Sequence, residues 1–298
     1  MRKHPVFLGL VLLIVLGAFL YFFFYRAGTQ SSSVAATGFS LNDKVGVVPV
    51  EGVITDSIEI TENIDEFRED SSIAAVVLRI DSPGGGVAAS QEIYDAVVKL
   101  KAKKKVVVSM GSVAASGGLL IACAGDKIVA NPGTITGSIS AIMQFANVEE
   151  LLKKVGVKSS VVKSGRYKDI GSPMREMTPE ERIIIQELVD DIYNQFIDVI
   201  VRDRKMTREQ VVAIGDGRVF TGRKAKELGL VDQLGDMAAA AKLASELAGK
   251  NGEYDLVYPQ KKHPSFFDYM FESAANQLSR SVKEKAENWG GVSYLYHP

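Results

Sequence analysis

The sequence predicts an α/β fold built on a largely parallel sheet. Three features carry that expectation: valine-rich runs suited to buried strands, glycine-rich turns at their ends, and helical spacing in the segments that follow. The first strand is expected in "KVGVVPVEGVI" (44–54), and "IDEFRED" then starts a short helix. The run "IAAVVLRI" (73–80) reads as a second strand ending in the turn "DSPGGG" (81–86). A helix follows over 90–105, with Ile93, Val97 and Leu100 inward and its lysines in solvent. Further strands are expected at "VVVSM" (106–110), "KIVANP" (127–132) and "SSVVKSG" (159–165). In such sheets sites gather where strands end and helices begin, and both glycine clusters occupy that kind of position.

The second half reads as helical. Thr178, Pro179 and Glu181 form a capping box with proline at the first helical position. Ile184, Leu188, Ile192, Phe196 and Val199 then share one face, read as core. "TREQ" (207–210) repeats the capping pattern, and "TGRKAKELG" gives a short helix stopped at Gly229. The segment 251–298 is set apart as a tail, with an amphipathic helix near 264–289 and the apolar terminus "GGVSYLYHP". It is expected to pack on a neighbouring subunit, to lie across the binding groove, or to skim a surface or membrane.

Ahead of the folded part, residues 6–25 carry no charge and are long enough to cross a bilayer as a helix. Arg2 and Lys3 precede them, and after Arg26 no Lys or Arg occurs until Lys44. The positive-inside bias therefore makes 1–5 a cytoplasmic tail and puts the rest outside the cytoplasm, in a single-pass cell-membrane protein. A cleaved signal peptide usually has a shorter apolar core, so an uncleaved anchor is preferred. Residues 26–40 are small and polar and read as a tether, leaving 41–250 as the main domain.

The chain has 298 residues and a formal net charge of −1, so no global charge draws it to nucleic acid. Neither phosphate-loop nor dinucleotide glycine spacing is present, and no cofactor or metal is expected. The lone Cys123 lies in "LLIACAG" and reads as a buried hydrophobe. The three histidines, His4, His263 and His297, lie outside the α/β core, which removes Ser-His-Asp and Cys-His catalysis from it. Asp81, Glu92 and Asp126 are read as capping groups at turns and helix starts.

A serine nucleophile with a lysine base remains. Lysine has a reference pKa of about 10.4, so a catalytic one is expected in an apolar setting that favours the neutral amine. Lys168 stands apart from charged clusters between Tyr167 and Ile170, with Lys127 and Lys163 as alternatives; Asp169 counts against Lys168 if it points the same way. Ser116 precedes Gly117, Gly118 and an apolar helix-like run, where helix-start amides favour an oxyanion. Ser112 is its rival, and service as a plain N-cap is the other reading of Ser116. The glycines of "DSPGGG" read either as a flexible turn or as a strand-end loop that holds an oxyanion or pairs with an extended peptide.

The motifs "DSPGGG", "SMGSVAASGG", "TGSIS", "SGRYKDIGSP.REMT" and "DGRVFTGRKAKELGLVDQLG" occur in this order between Lys44 and Gly235. Together they resemble the short, single-domain signal peptide peptidases. The resemblance implies a ClpP/crotonase-like fold of repeated β-β-α units and a membrane-anchored serine endopeptidase with a Ser-Lys dyad. It implies Ser116 as nucleophile, Lys168 as general base, Ser138 as the group orienting the lysine, and Gly85 and Gly117 as the oxyanion hole. Expected substrates are cleaved signal peptides and other apolar extended peptides. Expected partners are the membrane and further copies of the chain, in a ring-like homo-oligomer whose Ser and Lys can come from adjacent subunits. Stomatin-operon membrane proteases share the fold, and a catalytically silent peptide-binding scaffold is the non-enzymatic alternative.

Overall fold

The computed structural model describes residues 43–250, 254–260 and 293–295, together with Gly17 and Tyr21. The chain divides into residues 1–41 and 42–298. In the first unit Gly17 and Tyr21 are helical; the remainder of the expected span 6–25 lies outside the described residues. No helix among the described residues is long and apolar enough to cross a membrane.

The second unit is a mixed α/β fold. Three long strands, β1 (Asp43–Ile54), β2 (Ile73–Gly86) and β3 (Lys105–Ala115), lie parallel in the order β3-β2-β1. Alternation along them builds two apolar faces. Val48, Val50, Val76, Leu78, Val106 and Val108 face one core, while Val45, Val47, Ala75, Val77 and Val107 face the other. The first core is covered by α1 (Ile58–Glu69), α2 (Val87–Lys101) and α3 (Gly117–Cys123). Ile93, Val97 and Leu100 of α2 are fully buried, as their spacing predicts. Burial on both faces explains why these strands read as nearly continuous apolar runs.

Each long strand is interrupted. The β1–β2 register shifts between Glu51 and Val53, and the β2–β3 register between Ile80 and Ser82. Each strand is thus two paired segments followed by a helix, a β-β-α unit. The segment 81–86, expected as a turn, is the second half of β2, because Val53 and Ile54 of β1 pair with Gly84 and Gly85.

Beyond β3, β4 (Lys127–Ala130) and β5 (Ile135–Gly137) both pair with it in parallel. The expected strand at 159–165 does not form. Val161 and Val162 are exposed and no strand among the described residues pairs with them, so valine content alone misled; β5 is the fifth strand. A six-residue helix α4 (Glu149–Lys154) precedes the long loop that carries Lys168.

The long helix α5 (Pro179–Arg204) starts with the expected capping box, Thr178 accepting from Glu181 N and Glu181 from Thr178 N. Its apolar face is only half core. Ile192 and Phe196 are buried, but Ile184 and Leu188 are 37% and 45% exposed. In the first half of α5 Glu181 is buried and Ile185 and Val189 are half-buried, while Ile184 and Leu188 stay exposed. The capped helix α6 (Arg208–Val212), β6 (Val219–Thr221) and α7 (Gly222–Glu227) follow. Next come β7 (Gln233–Leu234) and α8 (Met237–Leu247), whose Ala240, Ala241 and Ala244 close the second core.

Two short strands come from the tail segment. β8 (Tyr254–Val257) pairs parallel with the start of β1. β9 (Ser293–Leu295) pairs antiparallel with Gly84–Gly86 of β2. The expected tail helix at 264–289 lies outside the described residues.

Candidate active site

The C-terminal ends of β2, β3 and β5 converge, as strand ends in parallel sheets do around sites. Ser82 of β2 pairs with Ala114 of β3, which pairs with Thr136 of β5. Two buried hydroxyls tie β5 down: Thr134 Oγ1 donates to Gly111 O at 2.7 Å and Thr136 Oγ1 to Ala114 O at 2.6 Å.

Ser116 is the residue on which β3 turns into α3. Its backbone has φ 54° and ψ −118°, a region that strains any residue with a Cβ. The turn is held by Ser116 N donating to Gly137 O at 2.9 Å and by Leu120 N donating to Ser116 O at 3.0 Å. The residue is 1% exposed, yet among the described residues Oγ makes no hydrogen bond and caps nothing. The plain N-cap reading therefore fails on geometry. A buried hydroxyl without a partner costs roughly 1–3 kcal/mol and calls for an explanation beyond folding. The rival Ser112 is exposed and lies within β3, away from the helix start.

Ser138 leaves β5 as Ser116 leaves β3. It has φ 51°, is 6% exposed, and is held by its N–H donating to Arg218 O at 2.8 Å. The glycine segments meet next to Ser116. A Cβ on Gly85 would stand 2.1 Å from Ile54 O, so that strand admits no side chain there. A Cβ on Gly117 would stand 2.5 Å from Ser90 Oγ and 3.4 Å from Gly84 Cα. Gly117 is thus packed against the segment that includes Gly85.

Lys168 is not part of this cluster in the single chain. It lies exposed in a run of turns, and no hydrogen bond joins it to Ser116 or Ser138 among the described residues. The Lys168 side chain is exposed, so among the described residues it does not have the apolar setting expected for a base. The competing lysines are engaged: Lys163 pairs with Asp169, and Lys127 Nζ lies 3.4 Å from Asp232. Asp169 also takes Arg175, at 2.9 Å on each carboxylate oxygen. These cations hold the Asp169 carboxyl well below the usual carboxylate range, hydrogen bonds from Arg175 being the largest cause and those from Lys163 next.

Several polar groups serve differently from the sequence reading. Asp81 Oδ1 accepts from Val113 N at 3.0 Å, Asp126 Oδ2 from Val106 N at 2.8 Å, and Glu92 accepts from Ser57 Oγ. They join strands and helices rather than cap them. Burial pushes the Cys123 thiol up to about 12, so it stays protonated in the core. Two serines were missed by sequence reasoning. Ser82 Oγ accepts from Gly84 N at 3.1 Å and Ser90 Oγ donates to Gly86 O at 2.9 Å, so both shape the glycine segment. Their signal was position, two residues before the first glycine and four after the last. A cavity of about 690 Å³ between the 141–147 loop and α5 includes neither Ser116 nor Lys168 in its lining.

Comparison with known proteins shows which families and relatives the chain is similar to. The pattern of Peptidase family S49 matches residues 98–251, and that of Clp protease matches residues 48–135. A Synechocystis sp. protein named as a protease is 51% identical over 181 residues, covering 61% of this chain and 65% of that one. An Enterococcus faecium protein named as signal peptide peptidase SppA is 35% identical over 226 residues, covering 71% and 65%. Protease 4 of Salmonella typhi is 35% identical over 270 residues, covering 87% of this chain and 43% of its own. The chain thus spans just under two thirds of the first two relatives and under half of the third.

Proposed function

Because this chain belongs to peptidase family S49, we propose that it is a membrane-anchored serine endopeptidase whose nucleophile is Ser116 and whose general base is Lys168. One observation carries the assignment: Ser116 Oγ is buried, without a hydrogen-bond partner among the described residues, and held on a strained strand-to-helix turn. Strain and an unsatisfied group together at a strand end mark a reacting atom better than a structural one.

In this reading Ser116 Oγ attacks the peptide carbonyl while its proton passes to the neutral amine of Lys168. The N–H groups of Gly85 and Gly117 hold the resulting oxyanion. Collapse expels the amine, which takes the proton back from Lys168 and leaves an acyl-Ser116 ester. Water, deprotonated by the same lysine, then releases the acid and restores the serine. Ser138 Oγ orients the amine.

The substrates in this reading are cleaved signal peptides and other apolar extended peptides, added as a strand to the glycine segment. Support comes from β9, an extended segment that already pairs antiparallel with Gly84–Gly86. Residues 6–25 anchor the protein in the cell membrane with the amino terminus cytoplasmic and the peptidase domain outside. A ring of copies brings Lys168 of one subunit to Ser116 of the next. Exposed Ile184 and Leu188, and the exposed Val161 and Val162, support that assembly as apolar surface awaiting a neighbour.

Labelling with a serine-directed fluorophosphonate tests the reading. It should modify Ser116 in the wild type and leave Ser116→Ala and Lys168→Ala unmodified. No labelling of a well-folded oligomer by any such probe would favour a silent peptide-binding scaffold. Modification at Ser112 would overturn the nucleophile.

A further inference from the structure

The loop that carries Lys168 is fastened on both sides of it to the first turn of α5. Tyr167 Oη donates to Glu180 at 2.5 Å, and Asp169 is tied to Glu181 through Arg175. Arg175 spans the two carboxylates with its whole guanidinium. Nε and Nη2 donate to Asp169, while Nη1 and Nη2 donate to Glu181 at 2.7 and 2.5 Å. Nη2 also reaches the Asp169 carbonyl at 3.3 Å, which fixes the backbone next to Lys168. The Glu181 side chain is 4% exposed and Asp169's is 14% exposed, so this is an ordered, partly buried cluster.

The charges around the loop fall into pairs. On the loop itself, Lys163 and Arg175 engage Asp169, and Arg166 engages Glu180 of α5. Glu181 of α5 belongs to Arg175, and Glu149 of α4 belongs to Lys153. Glu176, exposed, makes no side-chain bond among the described residues. Among the described residues Lys168 makes no ion pair with a carboxylate, although Asp169 is its immediate neighbour.

That pairing matters for a lysine that has to act neutral. A carboxylate at contact distance favours the ammonium form and withdraws the base. Resting on the Ser116–Lys168 reading above, we propose that Arg175 is a positioning residue for the base. It withholds the Asp169 and Glu181 carboxylates from Lys168 and fixes the loop on α5. Arg suits the task because its planar fork satisfies two carboxylates at once, which a lysine does not.

The test measures kcat/KM of the full-length protein in detergent on a fluorogenic apolar peptide, between about pH 6 and 10. Arg175→Met should move the rising limb of the profile to higher pH by about one unit or more. Adding Asp169→Asn to Arg175→Met should recover a large part of that shift, and Arg175→Lys should fall between wild type and Arg175→Met. An unshifted profile, or a shift that Asp169→Asn does not reverse, would overturn the proposal and leave Arg175 a structural residue. If Arg175→Met fails to fold, Asp169→Asn alone decides. Its profile should stay close to wild type, and a large acid shift would show that Arg175 does not withhold Asp169. Failure of the underlying reading looks different: Lys168→Ala would keep wild-type rates.

Discussion

Ser116 and Ser138 stand side by side at the end of a parallel strand pair. The register pair Ala115–Gly137 immediately precedes both, and both leave it with positive φ, 54° and 51°. Such backbone costs a non-glycine residue on the order of 1–3 kcal/mol. Two neighbouring strand ends carrying it, each at a serine, describe a site rather than a folding device.

The first prediction follows from the missing partner of Ser116 Oγ. Ser116→Ala should abolish peptide hydrolysis and raise stability by roughly 1 kcal/mol, since it removes a buried hydroxyl that satisfies nothing. Urea unfolding alongside a peptidase assay checks both halves. A destabilised variant would mean that the hydroxyl has a structural partner.

Gly117 and Ser90 should be coupled. A Cβ on Gly117 meets Ser90 Oγ at 2.5 Å, so Gly117→Ala should destabilise by about 1–3 kcal/mol. In a Ser90→Ala background the same change should cost less, because the opposing oxygen is gone. A double-mutant cycle measures the difference, and additive effects would contradict the contact.

Acid should weaken the attachment of the Lys168 loop. The Arg175 hydrogen bonds, with help from the Thr178 N–H, bring the Glu181 carboxyl down to about 2, and Asp169 is lowered in the same way. Because the folded-state values are depressed, their contribution is complete above the unfolded carboxylate range of about 4. It is lost as pH falls from there toward about 2. Denaturation across that window should show a decline that Glu181→Gln reduces.

Removing the tail strand should expose the glycine edge. A chain ending at Gln260 keeps β8 on β1 but loses β9 from Gly84–Gly86. Its KM for a short apolar peptide should fall, since the peptide no longer competes with β9. An unchanged KM would separate the peptide site from this edge. Truncation after Lys250 is the poorer test because it also strips β8.

Much of the fold was legible in residue order. Strands β1 to β4, helix α2 and both capping boxes follow from alternation, helical spacing and local hydrogen-bonding chemistry. Those signals work because each concerns residues within a turn or two of one another. The strand expected at 159–165 failed for the opposite reason: valines make a strand only where a neighbour offers a ladder, and none among the described residues does. Ile184 and Leu188 misled likewise, since periodicity defines an apolar face without saying what covers it.

By itself the sequence determined that no histidine lies between His4 and His263, and it raised the expectation of a lysine base together with the motifs that carry Ser116 and Lys168. Only the tertiary structure decided that Ser116 Oγ is buried without a partner, that Ser138 lies beside it, and that β9 lies on the glycine edge. It also decided that Asp169, adjacent to Lys168 in the chain, is bound by Arg175 and Lys163. The reason is physical: residue types and local spacing specify which groups are present, while pairing across strands and loops determines which of them remain free.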